Sequence, residues 1–157
     1  MSMELLMSMT GTKMTHVPYK GASQALSDVV SGQVSMLFTL PMAAASLAKA
    51  GRVKILAITS KARSPQLPDV PTVAESGVPG YEASLWYAVV APRGTPRSII
   101  DRLNGAIREA VASQDVRETF AASGEAASST PEELDRLILR ELEKWRKVII
   151  DAHIKVG

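Results

Sequence analysis

Residues 14–40 read MTHVPYKGASQALSDVVSGQVSMLFTL, and this stretch indicates the fold class. Residues 14–17 alternate in polarity as a strand does, and Pro18 ends them because proline has no amide proton for a β-ladder. Residues 22–31 then carry apolar side chains at helical spacing. Residues 33–40 are an apolar run between breakers, which is typical of a buried strand. The stretch therefore predicts a strand, a helix and a second strand in succession.

The same alternation continues after this stretch. Pro41 is a residue favoured at the first position of a helix, so a helix is predicted over 41–50. Residues 53–59 are again apolar and predict a third strand. Strands that alternate with helices indicate a parallel sheet with helices on its faces. The expected fold class is therefore α/β with a parallel sheet.

The remaining segments have different characters. A short helix is predicted over 2–9, and four prolines within 61–80 indicate a long, stiff connection. Residues 81–91 predict another strand. The last third predicts three helices, beginning near Thr95-Pro96, at Asp115 and at Pro131. The last of these follows a capping box, in which Thr130 and Glu133 exchange side-chain and amide hydrogen bonds.

The composition excludes several classes of function. The net charge is only +2, and 18 basic residues are scattered among 16 acidic ones, so nucleic acid is not an expected partner. The absence of cysteine excludes disulfides and thiolate chemistry. The two histidines, His16 and His153, have no metal-binding spacing, so neither a metal nor another cofactor is expected.

No catalytic motif is present, so an enzyme is not expected. His16 could act as a general base, but a strand histidine bonded to backbone is the simpler interpretation. Asp28 and Glu75 could act as acids, but each occupies a position typical of an ordinary solvated helix residue.

Two turns form the candidate binding site instead. The turns Tyr19–Ser23 and Thr39–Met42 each follow a predicted strand and lead into a helix. Helix N-termini have unpaired amides and a partial positive charge, so they bind carboxylates. Both turns would lie at the carboxyl ends of parallel strands, on one edge of the sheet. The sequence therefore predicts a small anion-binding socket there.

Several motifs in a fixed order also carry a family resemblance. They are His16-Val17-Pro18-Tyr19-Lys20-Gly21-Ala22, Gly32-Gln33-Val34, Leu67-Pro68-Asp69-Val70-Pro71-Thr72-Val73-Ala74-Glu75-Ser76-Gly77, Pro79-Gly80-Tyr81-Glu82 and Gly94-Thr95-Pro96. With them, the chain from about residue 3 to 155 resembles the substrate-binding receptors of tripartite tricarboxylate transporters, also called the Bug family. Ser35 stands where that family commonly has aspartate, and Ala88 where glycine is common.

The resemblance implies the C-terminal part of a type II periplasmic-binding-protein fold. In this fold two αβ lobes close around a cleft like a Venus flytrap, and family members are roughly twice as long as this chain. Most of the N-terminal lobe would then be missing. Residues 1–84 would be the incomplete second, ligand-binding lobe. Residues 85–157 would be a crossover strand and the C-terminal helices that normally complete the two-lobe fold.

The function implied by the resemblance is that of a periplasmic receptor. Such a receptor binds di- or tricarboxylates or related organic acids and delivers them to the permease subunits of the transporter in the membrane. The ligand identity stays open. The family's second-lobe contacts fall on Tyr19, Lys20, Gly21, Ala22, Ser23, Phe38 and Thr39.

One alternative concerns what a partial receptor does. A fragment that no longer binds ligand could persist as a structural or interaction module, a homo-oligomer formed through surface that the missing lobe leaves exposed.

The start of the chain bears on its location. MSMELLMSMTGTK does not resemble a signal peptide, so the chain as written is expected in the cytoplasm, whereas the family resemblance implies the periplasm.

Overall fold

The computed structural model describes residues 1–121, 124 and 126–154. Helices are found close to where the sequence predicts them. They are α1 (Ser2–Thr10), α2 (Ala22–Val30), α3 (Pro41–Lys49), α4 (Arg97–Ala112), α5 (Gln114–Ala121) and α6 (Pro131–Asp151). The six helix predictions are therefore confirmed, with small differences at the ends.

The helix ends follow from local chemistry. α1 ends at Gly11, whose φ of 68° is accessible to glycine at little cost, and the Gly11 amide bonds the Met7 carbonyl. The predicted capping box at α6 is confirmed. The Thr130 amide donates to Glu133 Oε2 at 2.8 Å, and the Glu133 amide donates to Thr130 Oγ1 at 3.2 Å.

The strand predictions, in contrast, are wrong. Within residues 1–121, 124 and 126–154 no β-strand forms over 14–17, 33–40, 53–59 or 81–91. One isolated parallel bridge joins Ile58 to Thr72. In it the Ile58 amide bonds the Pro71 carbonyl at 2.8 Å, and the Val73 amide bonds the Ile58 carbonyl at 2.9 Å. A strand exists only through hydrogen bonds to a neighbour, and the third predicted strand meets a partner only near its end.

The proline-rich connection contains a second capping box. The Thr72 amide donates to Glu75 Oε2 at 2.7 Å, and the Glu75 amide donates to Thr72 Oγ1 at 3.1 Å. Arg63 Nε lies 2.9 Å from the same carboxylate oxygen, and Arg63 Nη1 donates to the Pro68 carbonyl. Glu75 is exposed, as the sequence suggested, but its carboxylate also links Arg63, near the start of this connection, to Thr72.

The chain divides into two compact units, and all of the buried residues described belong to the first. That unit comprises Met1–Leu85 and the chain from Lys147 onward. Its core consists of Leu5, Ala25, Ala44, Thr72, Tyr81, Ala83 and Val148. Tyr81 is 1% exposed, and its hydroxyl donates to the Ser2 carbonyl at 3.0 Å. Burial raises the pKa of Tyr81 to about 12, because the charged phenolate would lose its hydration in the core.

The second unit, Trp86–Arg146, has a different character. None of its described residues is buried. Ion pairs lie at its surface: Arg97 Nε lies 2.7 Å from Asp101 Oδ1 within α4, and Arg97 Nη1 lies 2.6 Å from Glu132 Oε1 of α6. Exposed pairs of this kind contribute little to stability.

Shortening the Tyr81 side chain should destabilise the first unit. Tyr81→Phe removes one hydrogen bond and is expected to cost about 1 kcal/mol. Tyr81→Ala also leaves a cavity and is expected to cost about 3–5 kcal/mol. Urea unfolding followed by circular dichroism measures both. Tyr87→Phe is the control, because Tyr87 is 90% exposed and its change should be negligible. If Tyr81→Ala were as stable as the wild type, Tyr81 could not have this role in the core.

The box at Glu75 should make stability depend on acid pH. The Thr72 amide, and then the Arg63 guanidinium, hold the pKa of Glu75 below its ordinary value of 4.5. This stabilisation is complete above that ordinary value and is lost as pH falls through the lower folded-state pKa. Unfolding scans between pH 6 and pH 3, an interval of about three units, span this range. The free energy of unfolding should fall less steeply toward acid pH in Glu75→Gln than in the wild type. The exposed Glu109 provides the control, Glu109→Gln. If the free energy of unfolding falls with pH equally steeply in Glu75→Gln and in the wild type, the stabilising role of the Glu75 carboxylate is refuted.

Candidate functional site

The first candidate turn has free backbone donors. α2 is preceded by Gly21, which is extended (φ −167°, ψ 154°) and provides no side-chain cap. The amides of Ala22, Ser23 and Gln24 donate to no acceptor in the part of the chain that the structure describes. Lys20 is exposed one residue before Gly21. The turn therefore combines three unpaired N–H groups, the positive end of a helix dipole and a nearby cation.

The second candidate turn offers fewer donors. Pro41 is the first residue of α3 and has no N–H, and the Ala43 amide bonds the Leu40 carbonyl at 3.0 Å. The Met42 amide is then the unpaired donor of this helix start among the described residues. Phe38 and Thr39 are half-buried. An anion would consequently find more amide donors at α2 than at α3.

An open cleft of about 450 Å³ lies between α2 and α3. It is lined mainly by apolar side chains. The apolar ones are Ala22, Leu26 and Val30 of α2 and Ala43 and Leu47 of α3, and Ser23 and Ser27 of α2 add polar atoms. Of the residues singled out from the sequence, the structure thus brings Ala22 and Ser23 together with α3. Tyr19, Lys20, Gly21, Phe38 and Thr39 do not line this cleft.

Asp28 contacts the candidate turn through a hydrogen bond that the sequence did not reveal. The Tyr19 hydroxyl donates to Asp28 Oδ2 at 2.6 Å, and both residues are half-buried. The hydrogen bond to Asp28, followed by desolvation and the Asp28 charge, raises the pKa of Tyr19. Asp28 was expected to be a solvated helix position, but its carboxylate instead holds the residue that begins the candidate turn. The available signal was an acidic residue on the helix that directly follows a tyrosine-containing turn.

The family model described as the tripartite tricarboxylate transporter family receptor matches residues 1–154. The chain belongs to this family. The resemblance carried by the sequence motifs is thereby confirmed. Members of the family are solute-binding receptors, not enzymes, and the family is periplasmic.

Relatives of this receptor family show how much of the fold is present. The UPF0065 protein in the tcbD-tcbE intergenic region of Pseudomonas sp. (strain P51) is 42% identical over 155 residues, covering 98% of this chain and 46% of the relative. The solved structure of R. palustris Rpa4515 with adipate is 37% identical with a TM-score of 0.77, covering 98% of this chain and 52% of that one. MatC (Rpa3494) from Rhodopseudomonas palustris with bound malate is 33% identical with a TM-score of 0.65, covering 94% and 52%.

These matches confirm the expected fold class. The chain has part of the fold of periplasmic solute-binding receptors. The chain spans about half the length of the relatives it matches. Its backbone follows the receptor fold even though the predicted strands are not paired into a sheet in the described residues. Nothing in these relatives supports the alternative of a non-binding, self-associating module. In the described ranges, no helix is both long enough and apolar enough to cross a membrane.

Proposed function

We propose that this chain binds small dicarboxylates, with one ligand carboxylate at the start of α2. The observation that carries the proposal is the set of three unpaired amides at Ala22, Ser23 and Gln24, next to the exposed Lys20. Two similar receptors of the family support it, since one was solved with adipate and the other with bound malate.

The chemistry of the turn suits a carboxylate. Hydrogen bonds from N–H groups to an ionised acceptor are shorter and stronger than neutral ones, and the helix dipole adds favourable charge. Lys20 supplies a flexible cation, and the Ser23 hydroxyl a further donor. The apolar lining of the cleft between α2 and α3 suits the aliphatic stem of a dicarboxylate. Adipate, with the longer aliphatic stem, should therefore bind more tightly than malate.

The wider role follows from the family. We propose that residues 1–84 form the ligand-binding lobe and that residues 85–157 supply the crossover segment and C-terminal helices of the receptor. Tyr19, Lys20, Gly21, Ala22, Ser23, Phe38 and Thr39 are the proposed contacts. The receptor would act in the periplasm and deliver its ligand to the permease subunits of a tripartite transporter. Family membership supports these assignments.

Dicarboxylates should stabilise the chain against heat. Ligand at about 100 times its dissociation constant raises the free energy of unfolding by roughly 2.7 kcal/mol, which a thermal scan detects readily. Adipate and malate are the ligands to test. Adipamide is the matched control, because it keeps the stem of adipate and replaces both carboxylates with neutral amides. Equal shifts with adipate and adipamide, or no shift with either acid, would contradict the proposal.

Removing one amide donor should weaken binding without disturbing the helix. Ala22→Pro places proline at the first position of α2, where proline is favoured, and Gly21 already has the extended backbone that precedes proline. Loss of one hydrogen bond to a charged group should cost about 1.5 kcal/mol, or roughly tenfold in the dissociation constant of adipate. Isothermal titration calorimetry measures this change.

Ala22→Gly is the control for that substitution, because it changes the same position of α2 but keeps the amide donor. Lys20→Ala should also weaken adipate binding, whereas Lys49→Ala removes the same charge from the far end of α3 and should not. Unaltered affinity in both Ala22→Pro and Lys20→Ala would move the binding site away from this turn.

A further inference from the structure

The Tyr19–Asp28 contact joins the candidate turn to the body of α2. Tyr19 lies two residues before Gly21, the residue that caps the helix, whereas Asp28 is the seventh residue of α2. Asp28 lies six positions after Ala22 in the helix, which corresponds to about 9 Å along the axis at 1.5 Å per residue. The Tyr19 phenol must therefore reach back along the side of the helix to donate its 2.6 Å hydrogen bond.

This contact closes a short loop. The Tyr19 side chain fixes one end of the loop to α2, and the helix itself fixes the other, so Lys20 and Gly21 lie between two anchored points. No side chain caps the helix start, and Gly21 is an intrinsically free residue. The direction in which the chain enters α2 therefore depends on the Tyr19 anchor.

The main chain of Asp28 anchors the other end of α2. Its carbonyl accepts hydrogen bonds from the Gln33 amide at 2.8 Å and the Val34 amide at 3.1 Å, and from the Ser31 hydroxyl at 3.2 Å. These bonds hold the chain where it leaves α2 toward the segment before α3. A substitution of the Asp28 side chain leaves this carbonyl in place, so it changes the Tyr19 contact selectively.

We propose that Asp28 is a positioning residue for carboxylate binding, holding Tyr19 so that the Lys20–Gly21 turn leaves the α2 amides open to the ligand. The inference rests on the proposed function. Asp28 does not touch the ligand in this arrangement and acts through Tyr19. The same hydrogen bond raises the pKa of Tyr19, because it favours the neutral phenol that donates to Asp28.

A positioning role of Asp28 and a direct effect of its charge predict opposite changes in carboxylate affinity. Asp28 is itself negative, so removing its charge near an anion site should strengthen carboxylate binding if charge alone mattered. If Asp28 positions the turn, its removal should weaken binding instead. The sign of the change in adipate affinity therefore separates the two explanations.

The test uses Asp28→Ala, Tyr19→Phe and the double variant, with adipate affinity measured by calorimetry. We expect each single variant to weaken adipate binding about three- to tenfold. The double variant should bind adipate no less tightly than the single variant with the lower affinity. Such non-additivity is the signature of two residues that act as one unit. Asp28→Asn should recover part of the affinity, because the asparagine oxygen still accepts the phenol hydrogen bond.

Two further measurements complete the design. Asp69→Asn removes a negative charge from an exposed residue outside α2 and should leave adipate affinity unchanged. Ultraviolet absorbance of tyrosinate should show Tyr19 ionising at lower pH in Asp28→Ala than in the wild type, with Tyr19→Phe identifying its contribution. If Asp28→Ala fails to fold by circular dichroism, Tyr19→Phe still tests the proposal, because it keeps the ring and removes only the hydroxyl.

The outcomes distinguish this inference from the proposed function. A wild-type chain that binds neither adipate nor malate overturns both. Wild-type binding with unchanged or tighter binding in Asp28→Ala and Tyr19→Phe overturns the positioning role alone. Losses that add fully in the double variant likewise overturn it, because they would mean that the two residues act separately.

Discussion

The hydrogen bond from the Tyr81 hydroxyl to the Ser2 carbonyl joins residues that lie 79 positions apart, and the first unit is organised around it. An aromatic ring that is 1% exposed cannot leave its place without opening a cavity. The neighbouring Ala83 amide bonds the Thr59 carbonyl at 2.9 Å, which brings the connection 61–80 back onto the same core. Since aromatic residues make up only 4% of the chain, few others could replace this ring.

The helices could be predicted because their signals are local. The Thr130–Glu133 box and the proline at the start of α3 act within one turn of the chain, and the structure has both. The strands could not be predicted in the same way. Apolar alternation in 33–40 and 53–59 indicates which way the side chains would face, but a strand also needs a neighbouring strand, and that neighbour is often far along the chain. In the described residues the second of these segments has such a partner only near its end.

The candidate site also has one part that could be predicted from the sequence and one part that could not. Free amides at the start of α2 follow directly from a glycine that begins a helix without a side-chain cap, so the turn could be recognised in the sequence. The Tyr19–Asp28 contact could not, because it spans nine positions, whereas the spacing rules for helices relate residues three or four apart. The same limit explains Glu75, whose partner Arg63 lies twelve positions away in a segment without regular structure.

The second unit has a consequence of a different kind. Residues 86–146 contain α4, α5 and most of α6, yet none of the described side chains there is buried. Regions with few buried apolar contacts open locally at little free-energy cost, long before the whole molecule unfolds. Backbone amides of α4 should therefore exchange with solvent deuterium sooner than those near Tyr81.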